Sequence, residues 1–190
     1  VQQPDGRLYP SIPDAVDKKF SNPIKYAKIK SSGNATGVDG NYNISSISGR
    51  SYAMFNRNTT PVKISLKIDA SQSNSFGFSF GAGGNMSEIY SVAFDLTSTN
   101  HYSIPVLFMN KESNFVTGSY SKELNFNPLI VPEDKIFNVK IIIEKSICIM
   151  YINDNVAFTN RIYKMDQNPW TIFADNGTIK ISNFTINKIP

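Results

Sequence analysis

The chain has 190 residues, 41% hydrophobic and 12% aromatic, which supplies one well-buried domain and excludes a large multidomain enzyme. Charged residues make up only 18%, so abundant Asn, Ser and Thr must solvate the surface, and the apolar content rules out intrinsic disorder. The net charge of +4 comes from scattered lysines rather than a basic run interleaved with aromatics, and no apolar stretch approaches the ~20 residues of a membrane span; nucleic acid and a membrane span are both discounted.

Residues 1–23 carry Pro4, Pro10, Pro13 and Pro23 with an Asp5-Gly6 turn signal, and predict an extended arm or linker with one helical turn near Asp14 to Phe20. The start, Val-Gln-Gln-Pro, has neither an initiator Met nor an apolar signal core, as expected of a piece of a longer precursor. Residues 24–190 predict a β-sandwich domain. Its clearest strand is Val62 to Ile68, where four branched apolar residues share one face and Lys63, Ser65 and Lys67 share a wet one. Similar faces occur at Phe76, Phe78 and Phe80, at Tyr90, Val92, Phe94 and Leu96, and at Tyr102, Ile104, Val106 and Phe108, where Pro105 predicts an edge strand or a bulge.

Turn signals at Val38-Asp39-Gly40-Asn41, at 81–85, at Asn153-Asp154-Asn155 and at Asp175-Asn176-Gly177 separate these runs. Many short strands with regular turns predict two antiparallel sheets packed face to face, and alternation alone leaves jelly-roll, immunoglobulin-like and lectin-like topologies open. Ile141-Ile142-Ile143 and Ile147 to Ile152 are apolar on both faces. A second cover is needed there, either a loop of the same chain or another domain docking on Ile147, Ile149 and Tyr151.

The catalytic inventory is thin. His101 is the single histidine, with no nucleophile motif near it, and Cys148 lies in the apolar setting of a buried hydrophobe. One His and one Cys exclude a metal site built from those residues, and Asp39, Asn41, Asp175 and Asn176 read as turns before they read as calcium ligands. No metal or cofactor is expected. Nothing singles out an acid pair for glycoside hydrolysis, and Glu112, Glu123, Glu133 and Asp134 fall in polar loops. Sugar binding needs only a flat aromatic and a few amides, which are plentiful. Trp170 is the obvious platform, although it opens the apolar run Thr171-Ile172-Phe173-Ala174, which favours the core.

Glu144-Lys145-Ser146 leading into Ile147 to Asp154, then Val156 to Phe158 and Thr159-Asn160-Arg161-Ile162-Tyr163, resembles the C-terminal β-sandwich of glycoside hydrolase family 32, the invertases, levanases and inulinases. Trp170 to Ile186 resembles that family's closing hairpin, and Pro4 to Leu8 with Pro13 to Val16 resembles the arm entering the sandwich from the catalytic propeller. Two positions depart from the pattern: Ile147 stands where Ser is usual, and Ile149 where Glu is usual.

The resemblance implies an all-β, two-sheet antiparallel sandwich of concanavalin A-like or jelly-roll type. It also implies an accessory module of a secreted, periplasmic or cell-surface fructan-degrading enzyme, partnered by a five-bladed propeller of the same polypeptide. The family's propeller motifs, of the types Asn-Asp-Pro-Asn, Arg-Asp-Pro and Glu-Cys, do not occur in this sequence, so no catalytic residue is expected in it. The alternatives are an independent carbohydrate-binding or lectin-like module, using Trp170, Tyr163 and Asn160, and a standalone glycosidase with unrelated acids.

Overall fold

The structure, a computed structural model, describes residues 2, 6, 8–57, 60–81, 89–97, 104–109, 122–127, 131–163 and 168–190. A single helical turn, α1 (Asp14–Asp17), is followed by short β1 (Asn22–Pro23), β2 (Lys28–Ser32) and β3 (Asn34–Val38). Long strands β4 (Asn41–Phe55) and β5 (Val62–Phe80) come next, then β6 (Ile89–Asp95), β7 (Ile104–Met109), β8 (Lys122–Asn127), β9 (Ile136–Glu144), β10 (Ile147–Ile152) and β11 (Val156–Arg161). The chain closes with a third long strand, β12 (Trp170–Lys188).

Every strand pairing among the described residues is antiparallel, and β4, β5 and β12 each serve both layers of the sandwich. In one layer, Phe76 to Phe80 of β5 pairs with β6, while Trp170 to Asp175 of β12 lies between β5 and β4. In the other, Val62 to Asp69 of β5 pairs with β9, which continues the sheet into β10 and β11.

The two layers meet through rings: Phe76 and Phe94 pack on Phe137 at 5.1 and 6.1 Å, and Phe55 meets Phe184 at 5.1 Å. The period-two faces expected around Phe76, Tyr90 and Val62 all supply this core. Alternation puts their side chains on one face, and burying that face against the facing layer is the main stabilising term of such a fold.

Three local expectations need correction or narrowing. Asp175-Asn176-Gly177 does not close a hairpin: it lies inside one continuous strand that keeps step with β5, and the register shift against β4 between Asp175 and Gly177 is a bulge of β4 over residues 47–49. Of the two outcomes expected at Pro105, the edge strand is excluded because β7 is paired on both sides, and the bulge is matched by the slip of its pairing with β8 between Val106 and Leu107. The face of β5 expected to be wet is divided, since Lys63 is only 9% exposed whereas Lys67 is half-buried. The turns at Asp39-Gly40 and Asn153-Asp154 do adopt the positive φ that their residues tolerate. His101, Tyr102, Glu112, residues 82–85 and the side chain of Glu123 lie outside the described residues.

Candidate functional site

The outer face of the layer formed by β4, β12, β5, β9 and β10 is the informative surface, because its cross-strand register sorts it into two regions. In one row Lys63 of β5 faces Ile142 of β9, which faces Ile149 of β10. Further along β5, Lys67 stands between Ser182 of β12 and Asn138 of β9. Beside it, Thr36, Asn43, Lys180, Asp69 and Ile136 form a row across five strands. The first region is apolar and the second is polar.

The apolar region is covered by the chain's own N-terminal segment. Ile12 and Phe20 are buried in a cluster with Ile142, and Ile149 and Tyr151 pack against it. Lys63 fixes this strap by bonding the Asp17 carboxylate and the Asp17 carbonyl oxygen, and its ammonium also lies 5.8 Å from the centre of the Phe20 ring. After the strap, β1 pairs with the end of β12, and Ile24 N donates to Ile186 O at 2.9 Å. Of the two covers expected there, a loop of the same chain or another domain, the described residues supply the first over Ile149 and Tyr151, namely residues 12–20. Ile147, half-buried at the far end of β10, pairs with Glu144 and Arg161.

The polar region is open. Adjoining depressions of about 520, 590 and 160 Å³ lie along it, and Lys67 lines all three. Asp69 accepts from Ser71 N at 3.0 Å, and hydrogen bonding with Ser71, helped by Lys180 and Lys67, holds its carboxyl below the ordinary 3.8. Asp134 accepts from Ile136 N at 3.0 Å, and Asp154 accepts from Lys140 Nζ at 3.4 Å. These two acids line one shallow groove, each already engaged as an acceptor.

The residues expected to bind sugar are not brought together. Trp170 is 2% exposed, stacked on Phe55 at 5.0 Å and edge-on to Phe184 at 5.8 Å, so it offers no ring face to a ligand. Asn160 lies opposite Cys148, and its Nδ2 is buried near the Tyr90 hydroxyl without completing a hydrogen bond. Only Tyr163, 68% exposed, is free to meet a ligand. The polar alternation of Lys63, Ser65 and Lys67 hinted at the open face, but which residues of β3, β4, β9 and β12 stand beside it depends on register.

Among the described residues no group of three His, Cys, Asp or Glu side chains is placed to hold a metal ion. Asp175, read from sequence as a turn residue, accepts two bonds from Arg50 instead. No helix of the described residues is long and apolar enough to cross a membrane.

Among curated proteins none matches this chain. Solved structures similar to it include a carbohydrate binding module, CBM66, from Bacillus subtilis, at TM-score 0.64 and 10% identity over 88% of this chain and 98% of that one. An exo-inulinase from Aspergillus awamori is similar at TM-score 0.58 and 14% identity, with 90% of this chain and 30% of the enzyme covered. A fructosyltransferase from A. japonicus is similar at TM-score 0.62 and 10% identity, with 94% of this chain and 28% of the enzyme covered. At these identities the likeness concerns the fold, and the chain spans less than a third of either enzyme. The family described as GH32, BT1760-like, C-terminal domain matches residues 6–186, and this chain belongs to it.

Proposed function

We propose that this chain is the non-catalytic, concanavalin A-like accessory module of a secreted, levanase-like fructan-degrading enzyme, supporting a five-bladed catalytic propeller and contacting carbohydrate. The observation that carries the reading is the family match over residues 6–186, which takes in the strap as well as the sandwich. The strap supports a mechanical role. Pinned by Lys63 and β1, it ties whatever precedes it to a rigid sandwich rather than to a loose tether. The proposed docking of a propeller on Ile147, Ile149 and Tyr151 gives way to docking through the strap that covers Ile149 and Tyr151.

The test compares the isolated chain with the polypeptide as encoded, using levan, inulin and sucrose. Release of fructose by the longer polypeptide alone is expected. Turnover by the isolated chain would favour the standalone glycosidase, and no fructan turnover by either would overturn the proposal.

A second reading, an independent carbohydrate-binding module, is favoured by the open polar face and by the likeness to a binding module over 98% of that module's length. It predicts unchanged saccharide affinity when the chain is separated from its neighbours.

A further inference from the structure

We infer that the trough centred on Lys67 is a binding surface for a neutral, hydroxyl-rich oligosaccharide chain. This deepens the carbohydrate contact proposed above and rests on it.

Continuity is the first argument. The three depressions share Lys67, so they form one path running across strands β3, β4, β12, β5 and β9. Neighbouring strands lie ~4.8 Å apart, which makes five strands ~19 Å, longer than one sugar ring. The strap leaves this path free. It ends at Lys63, four residues before Lys67 on the same face of β5, so one outer face carries a filled apolar end and an unfilled polar end.

Charge decides the kind of ligand. Lys67, Lys140 and Lys180 alternate with Asp69, Asp134 and Asp154, three against three, so the trough has no net field to attract an acidic chain. A polyol meets both signs, because each hydroxyl can donate to a carboxylate and accept from an ammonium. Lys67 Nζ donates to no protein group among the described residues, and Asp69, kept ionised, retains acceptor capacity beyond its bond from Ser71 N. Amides and hydroxyls from Asn43, Asn138 and Thr36 supply the neutral partners between the charges. The one ring in the lining, Tyr42, is buried, so recognition here works through hydroxyls rather than ring stacking.

The experiment titrates the full chain, followed by amide NMR and calorimetry, with levan-type and inulin-type oligosaccharides as neutral probes and oligogalacturonate as the acidic one. Expected are shifts at Thr36, Asn43, Asp69, Asn138 and Lys180, little dependence on salt, and a loss of about tenfold or more in affinity in Lys67→Met, as for a hydrogen bond to a charged group. Asp69→Asn, which keeps the acceptor for Ser71 N, should weaken binding similarly, while Tyr163→Ala should not. Neutral binding with shifts elsewhere and an unaffected Lys67→Met would overturn the trough and leave carbohydrate contact standing. Preference for the acidic probe would overturn the charge argument. Absence of binding by any neutral probe would remove both the trough and the contact it rests on.

Discussion

Arg50 and Asp175 stand directly opposite each other on β4 and β12 and share two parallel charge-assisted bonds, Nε to Oδ1 and Nη2 to Oδ2, each 2.7 Å. The pair sits beside the bulge of β4 over residues 47–49, where its register with β12 shifts, and the guanidinium also lies 3.7 Å from the centre of the Phe173 ring. It therefore pins β4 to β12 at the point where their register shifts. Removing one partner leaves an ion buried without its complement, which costs ~3 kcal/mol or more. Urea unfolding should show this loss in Arg50→Met and in Asp175→Asn, with Arg50→Lys failing to restore it because an ammonium makes neither the fork nor the stack. A double variant losing as much as the sum of the singles would show that the two side chains do not act together.

The strap is expected to be part of the stable fold. Phe20 is buried against Ile142, and Phe20→Ala should cost ~3 kcal/mol while uncovering Ile142, Ile149 and Tyr151. An apolar dye should then bind the native variant and ignore the parent. Equal dye binding and equal urea midpoints would mean that residues 12–20 contribute nothing to the sandwich.

Much of this architecture was legible because alternation is a local signal. Val62 to Ile68 and Phe76 to Phe80 announce their buried faces within a few residues. What alternation lacks is pairing. The same β5 residues look equally wet at Lys63 and Lys67, and only the register against β9 shows that one faces Ile142 and the other Asn138. Asp175-Asn176-Gly177 misled for a related reason: a positive-φ pair closes a hairpin or stays inside a strand depending on whether the partner strands continue, as β4 and β5 do here. The doubly apolar β9 and β10 correctly required a second cover, but its source, Ile12 and Phe20, lies more than a hundred residues away in a proline-rich stretch without periodicity.

Proton linkage gives the chain a defined alkaline limit. Burial pushes the Cys148 thiol up to about 12 from an ordinary 9.0. Burial first, then Tyr42 and Asp39, pushes the Tyr26 phenol up to about 12 from 10.0. Raised values mean that folding favours the protonated forms, so their contribution is complete below about pH 9 and is lost as pH climbs toward 12. Asp69 works in the opposite direction: its carboxyl is lowered, so its contribution is present above 3.8 and disappears as pH falls through the folded value. Melting temperature against pH should show both flanks. At pH 8 a disulfide reagent should modify Cys148 no faster than the chain unfolds, because the thiolate is the reacting form; prompt labelling of the native protein would refute the burial argument.

Gly77 is required by a close approach rather than by its backbone angle. A Cβ there would lie 2.2 Å from the Val92 carbonyl oxygen and 2.5 Å from Phe173 Cζ, between β6 and a ring of β12. Gly77→Ala should cost ~2 kcal/mol or more, since the backbone oxygen cannot step aside without breaking the pairing of β5 with β6. A second change, Phe173→Leu, removes the ring but not the carbonyl oxygen and should restore only part of the loss. Full recovery in urea unfolding would assign the whole clash to the ring.

Trp170 is the only tryptophan, and its burial determines what its fluorescence can report. Packed against Phe55 and Phe184, with Phe80 at 6.4 Å, it should emit at short wavelength, resist quenching by iodide and shift sharply on unfolding. Oligosaccharide bound at Lys67 touches the outer face of the opposite layer, and Trp170 lies on the inner side of its own. Saturating levels of a neutral chain should therefore leave the emission unchanged even as trough amides shift. A change in the native emission maximum on adding saccharide would place the ligand against the core and contradict both the buried position of Trp170 and the separation of the two surfaces.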